Sequence, residues 1–194
     1  YRAGGNICYA DSPEGLNREH ALFGASRCVA VSPSDTAPAL VALDATMVVS
    51  SSSGERLIPA QDFFVGPDRD ILNMTVLNDD EILTAVRIPN TWANAEFYWE
   101  KVADRNVWDF ALVNIAAVFK VSGGTIEDSR FACGAVECTP RRLEAVESEV
   151  RGQQRSEELA VSAGEIATDG ARALNYNNFK IPLMQNLVKR AIRG

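Results

Sequence analysis

Two cysteines, Cys8 and Cys28, flank a glycine-punctuated stretch that holds the only histidine of the chain, His20. A thiolate can ligate a metal, pair in a disulfide or act as a nucleophile, and the last role needs an activating neighbour. Glu19 is the acidic residue beside His20, and no Ser or Cys has the setting of an activated nucleophile, which argues against a triad hydrolase. Three readings of the pair stay open: two free thiols, one disulfide across the loop, or part of a metal-ligand set that two widely spaced cysteines cannot complete alone. Cys133 and Cys138 lie in or just beyond an apolar run and read as buried thiols. Ser34 and Asp35 stand where a strand gives way to a helix. Either side chain can cap free N–H groups there, and the positive helix end favours a negative or strongly accepting partner.

These residues need elements to hold them. Val29 to Val31 is expected as a short strand, broken by Pro33-Ser34-Asp35, with a helix from Thr36 through Ala39, Leu40 and Leu43. The β-branched run Thr46 to Ser50, a turn around Gly54, and Arg56 to Ile58 read as a hairpin. Asp62 to Val65 reads as a helical turn, and Glu81 to Ile88 as a strand stopped by Pro89. Beyond a link at Pro89 to Glu96, strands are expected at Phe97 to Val102, Phe110 to Val121 and Thr125 to Val136. Gly123-Gly124 forms the tight turn between the last two. Helices follow from Thr139-Pro140 to Gly152, from Ser156 to Gly170, and from about Pro182 to the end. The fold class is α+β, an antiparallel sheet followed by three helices. Residues 1 to 27 show no period and few apolar anchors, so they are expected to be irregular and to owe any fixed shape to a bound metal.

The chain has 194 residues, enough for one large domain or two small ones. A net charge of −7 argues against nucleic acid or an anionic membrane as the main partner. No apolar run approaches the ~20 residues of a membrane span. Four cysteines do not make a secreted disulfide scaffold. The opening Tyr-Arg-Ala-Gly-Gly lacks a methionine and reads as the start of a back portion, with any targeting signal upstream; a cytoplasmic or periplasmic location is expected.

Pro33 to Ala45, reading PSDTAPALVALDA, resembles the flavin-binding subunit of the molybdenum hydroxylases, the family of xanthine dehydrogenase, carbon monoxide dehydrogenase and related aldehyde oxidoreductases. The resemblance continues in order through Arg56-Leu57-Ile58-Pro59, Asp62-Phe63-Phe64, Asp80 to Leu83, Ile88-Pro89, Tyr98 to Lys101, Phe179 to Leu183 and Leu187 to Ala191. It implies that residues 1–89 end an α/β FAD-binding domain and that residues 90–194 form the subunit's C-terminal α+β domain. It also implies that Asp35, with Ser34, meets the flavin's sugar-alcohol chain, that Leu83 abuts the flavin and that Lys101 reaches it, where a cation favours a reduced anionic ring. Core packing for the Leu83 side chain and a solvated edge charge for Lys101 are the plainer alternatives.

The loop before Cys28 is similar to one found in a subset of the family, seen in 4-hydroxybenzoyl-CoA reductase, where cysteines hold a [4Fe–4S] cluster. On that resemblance Cys8 and Cys28 are two of four ligands within an iron–sulfur loop at 1–28, the other two lying upstream, and His20 is a hydrogen-bonded loop residue nearby. Gly4-Gly5-Asn6-Ile7 resembles a family glycine turn but is read as loop, and the family's Gly-Gly-Thr pyrophosphate cradle is missing. The implied function is an FAD subunit relaying electrons from iron–sulfur centres to an external acceptor, with no catalytic residue of its own. The partners would be a large subunit carrying the molybdenum cofactor and a small [2Fe–2S] subunit. A non-catalytic docking module, or a different flavoenzyme on the same fold, are the alternatives.

Overall fold

A computed structural model describes residues 6–25 and 27–194. The expected α+β class is found: two antiparallel sheets, of three and four strands, and five α-helices among the described residues. The first sheet has the order β2-β1-β3, from β1 (Thr46–Ser51), β2 (Gly54–Pro59) and β3 (Ile82–Arg87). Helix α1 (Ala37–Ala42) precedes it and α2 (Ala60–Phe63) follows β2. The second sheet runs β4 (Glu96–Val102), β5 (Val113–Ser122), β6 (Thr125–Gly134) and a two-residue β7 (Arg141–Arg142). Gly123 and Gly124 both have positive φ, 56° and 83°, and close the β5–β6 turn as the sequence requires.

Helices α3 (Glu144–Val150), α4 (Glu157–Ala167) and α5 (Lys180–Arg193) cover one face of the second sheet. Alternation along each strand decides which face a residue serves. Val113, Ile115, Ala117 and Phe119 of β5, with Phe131 and Cys133 of β6, join Met184, Leu187 and Ala163 in the main core. The intervening Ala116 and Ala132 pack instead against Val41 and Ala42 of α1. Helix α1 therefore lies on the opposite face, and the units expected on either side of the 89–96 link share a core there. Trp92, inside that link, is buried.

Three local expectations are corrected. Val29 to Val31 is not a strand; the bonds of this stretch go to neighbouring loops, with Ala21 N–H donating to the Val29 carbonyl and Ser32 N–H to that of Glu137. The helix after Thr139-Pro140 does not start there. The Arg141–Arg142 backbone pairs with Cys133 and Ala132, and this edge ladder delays α3 to Glu144 and makes the sheet four-stranded rather than three-stranded. Residues 6–25 are irregular as expected, yet Ala21, Leu22 and Phe23 are buried in or against the main core, anchors that a period search overlooks because they are consecutive.

Candidate functional site

Helix α1 ends in a Schellman motif: Ala45 N–H donates to Leu40, and Asp44 N–H to Val41, with Asp44 at φ 56°. Its start is fixed by Ser34, whose Oγ accepts from Ala37 N–H at 3.2 Å. Thr36, the N-cap residue, makes no side-chain cap of its own, so neither expected residue occupies the cap position. Ser34 satisfies the first helical N–H from two residues upstream of Thr36, and the Asp35 carboxylate is turned to other partners. One of its oxygens accepts from Lys101 Nζ at 2.6 Å and the other from Asn114 Nδ2 at 3.2 Å. Lys101 also donates to the Asp109 carbonyl at 2.6 Å. Three segments meet at this carboxylate: the turn before α1, strand β4 and strand β5.

Pleating explains the meeting. Lys101 and Trp99 lie on the α1-facing side of β4, and Asn114, the ladder partner of Lys101, lies on the same side of β5. Lys101 is thus no solvated edge charge, although β4 is an edge strand; its side chain is only 21% exposed. Asn114 was not singled out from the sequence. It is buried, and its Oδ1 has no hydrogen-bond partner among the described residues. Gly134 faces it so closely that a Cβ there would stand 2.2 Å from that oxygen, so glycine is what the site tolerates. A cavity of about 340 Å³ opens beside Lys101, lined by Trp99, Val102, Arg105 and Asn106. A smaller apolar one of about 210 Å³ lies between Ala39 of α1, Leu43 just after it, and Trp99 and Phe97 of β4.

Leu83 stands apart. It pairs with Val49 on the edge strand β3, is 37% exposed, and no hydrogen bond or ion pair among the described residues ties β3 to Asp35 or Lys101. The core-packing alternative is corrected, because nothing described covers β3, whose six residues are all exposed.

Cys8 is half-buried at the start of a 3₁₀ turn (Tyr9–Asp11), and Cys28 is buried. Neither is in a disulfide. Among the described residues no three His, Cys, Asp or Glu side chains converge on a common point, so these two thiols supply at most half of a four-thiolate set. Gly4 and Gly5 of the glycine turn lie outside the described residues. His20 is a loop residue hydrogen-bonded through its backbone, its N–H donating to the Asn17 carbonyl and its carbonyl accepting from Asn177 and Lys180, while its buried Nδ1 has no partner among the described residues. Burial lowers its pKa, helped by the charge of Lys180 and opposed by Glu19. Cys133 fits its structural reading. It is fully buried opposite Ile115, and burial pushes the thiol up to about 12.

Two groups escaped notice in the sequence. Glu147 of α3, buried, accepts from Phe131 N–H at 3.0 Å and pairs with Arg142 at 2.7 Å. Lys180 is fully buried, and burial draws its ammonium down to about 8, with Arg18 acting the same way and Glu19 against it.

An acidic group and a cation locked at a helix–sheet junction beside an aromatic-walled cleft suit a ligand with a flat ring and a hydroxylated or charged chain, which is the shape of a flavin nucleotide. Residues 3–91 match the FAD binding domain in molybdopterin dehydrogenase, and residues 99–194 match the CO dehydrogenase flavoprotein C-terminal domain. The chain belongs to the FAD-binding medium-subunit family of the molybdenum hydroxylases. It is similar to the aldehyde oxidoreductase FAD-binding subunit PaoB of Escherichia coli K12, with 35% identity over 139 residues, 71% of this chain and 42% of that one. It is also similar to the nicotine 6-hydroxylase medium subunit of Paenarthrobacter nicotinovorans, 34% identical over 163 residues, 79% of this chain and 53% of the relative. The carbon monoxide dehydrogenase structure from Hydrogenophaga pseudoflava shares the fold with a TM-score of 0.71 and 28% identity, over 80% of this chain and 54% of that chain. The chain spans about half the length of the curated relatives it matches.

Proposed function

We propose that this chain is the back portion of an FAD-binding subunit in a molybdenum-dependent hydroxylase, relaying electrons from iron–sulfur centres to an external acceptor. Residues 1–89 would complete the FAD-binding domain and residues 90–194 would form the C-terminal domain. A molybdopterin-binding large subunit and a [2Fe–2S] small subunit would be its partners, as expected of a chain whose relatives are medium subunits. The observation that carries this reading is the Asp35–Lys101–Asn114 junction, built from both matched segments.

The residues present fit the group. Bound FAD would supply the one- and two-electron chemistry, and the protein would place it and set its surroundings. Asp35 is 39% exposed and keeps room to accept from a ligand hydroxyl. Lys101 is pinned by Asp35 and the Asp109 carbonyl, so its charge stays fixed at the cleft wall. Asn114 holds the other Asp35 oxygen through its Nδ2. Leu83, on the exposed edge strand, would contribute an apolar contact or its backbone. Cys8 and Cys28 would be two thiolate ligands of a [4Fe–4S] cluster, completed by two more from elsewhere in the full subunit.

The test uses the full-length subunit purified anaerobically. Asp35→Ala should lower the ratio of FAD to protein after desalting, and Cys28→Ser should lower iron and acid-labile sulfide while Cys133→Ser leaves them unchanged. Full FAD in Asp35→Ala would remove the flavin role of that carboxylate. A full cluster in Cys28→Ser would remove the metal role of that thiol.

A further inference from the structure

The loop between Cys8 and Cys28 is held by side chains from the far end of the chain. Lys180, the first residue of α5, donates to the carbonyls of Glu19 at 2.7 Å, His20 at 3.0 Å and Ala135 at 2.8 Å. Asn177, also fully buried, donates to the His20 and Ala21 carbonyls at 3.0 and 3.2 Å. Arg172 N–H donates to the Leu22 carbonyl at 2.8 Å. Further up the loop, Asn175 Nδ2 donates to the Ser12 carbonyl at 2.8 Å, and Tyr176 N–H to Asn17 Oδ1 at 3.0 Å. Asn17 in turn donates to the Ala10 carbonyl at 2.7 Å.

The chemistry of this arrangement is unusual. A buried ammonium is ordinarily matched by a carboxylate. The nearest acidic side chain in the loop, Glu19, is occupied with Arg18, and Lys180 is met by neutral carbonyls alone in its hydrogen bonds. An irregular segment without a ladder leaves backbone carbonyls that must find donors when buried. An ammonium carries three N–H donors at one point, which is what three converging carbonyls require.

We propose that residues 172–180, chiefly Lys180 and Asn177, are a template on which the C-terminal domain folds the 10–24 loop, so that the segment between Cys8 and Cys28 is shaped before any metal binds. The inference rests on the cluster reading for the purpose of that shape, but the template itself does not need iron. It replaces the sequence-based expectation that a metal alone would order this segment. Preorganising the segment between two ligands lowers the ordering cost that a cluster would otherwise meet on binding. Lys180 is a positioning residue in this scheme: it touches no reacting atom.

Hydrogen–deuterium exchange of the full-length subunit, stripped of iron by anaerobic chelation, tests this. Residues 17–24 should stay protected in the wild type. Lys180→Gln retains two donors and should lose part of the protection; Lys180→Met retains none and should exchange about tenfold faster or more, with β5 and β6 unchanged. A packing role alone demands the reverse order, since methionine is the better apolar filler. Asn175→Ala, at an exposed position, should loosen residues 9–16 only, and it keeps the test available if a Lys180 variant does not fold. Reconstitution of Lys180→Met with ferrous iron and sulfide should be slower than that of the wild type. Coil-like exchange of 17–24 in the iron-free wild type, or better protection in Lys180→Met than in Lys180→Gln, overturns the template. A wild type that never takes up iron yet keeps 17–24 protected removes the cluster assignment and leaves the template standing.

Discussion

The two sheets are built from similar strands and end in opposite conditions. In the second sheet β5 is buried along seven consecutive residues, because α1 covers one face and the α3–α5 layer the other. In the first sheet only the central strand β1 is buried; β2 is exposed at five of its six positions and β3 at all six. Leu57, Ile82, Val86 and Ile88 stand largely in the open on this side of the molecule. The difference teaches that the second sheet is closed by this chain's own helices, whereas the first is held mainly by its ladder, by α1 and α2 on one side, and by polar clamps at its edges. One such clamp is Arg56, which binds Glu81 at 2.6 Å and the Val76 carbonyl at 2.8 Å.

The comparison can be broken most forcefully in the closed sheet. Phe131 is fully buried and meets Phe119 edge-on with centroids 5.1 Å apart. Phe131→Ala should cost about 3–5 kcal/mol in urea unfolding, from lost transfer energy and the cavity left behind. Next is the buried carboxylate of Glu147, which unites β6, β7 and α3. Glu147→Ala leaves the Phe131 N–H unpaired and Arg142 with only Glu144 and Gln61 as side-chain partners among the described residues. It should cost about 2–3 kcal/mol, less than a fully buried pair because Arg142 is partly solvated.

In the open sheet the clamp is sensitive to acid. Arg56, with help from the Asn78 N–H, holds the Glu81 carboxyl down at about 2, against 4.5 ordinarily. A depressed carboxyl contributes stability that is present above its unfolded pKa and lost as pH falls through the folded value. Acid titration should therefore loosen β2 and β3 between about pH 4.5 and 2, and Glu81→Gln should remove that step from the profile. The smallest effect belongs to the exposed strand itself. Ile82→Thr should shift the unfolding free energy measured in urea by no more than about 0.5 kcal/mol, since the residue is 69% exposed.

Much of the architecture was legible because it rests on short-range signals. Gly123-Gly124, the β-branched runs and the Ser156 cap each act within a few residues. The Ser156 hydroxyl does accept from Leu159 N–H, as a cap at the start of α4 should. Cys133 could be read as a packing thiol from its apolar strand alone. Asp35 and Lys101 were each singled out in the sequence, from residue type, position and family resemblance.

Other features depended on partners distant in the chain. That Asp35 does not cap α1 was settled by Lys101 and Asn114, which are 66 and 79 residues from it and hold its carboxylate. The start of α3 was settled by an edge ladder to β6, which no local propensity encodes. The loop at 6–25 looked unanchored because its fixings are backbone carbonyls, which carry no side-chain signature, and the donors sit some 160 residues later at Asn177 and Lys180. The sequence by itself determined which residues are apolar, where turns and caps fall and which family pattern is present. Only the tertiary structure decided which buried polar group answers which, because satisfying a desolvated carbonyl or charge is a property of the assembled packing and not of any stretch of chain.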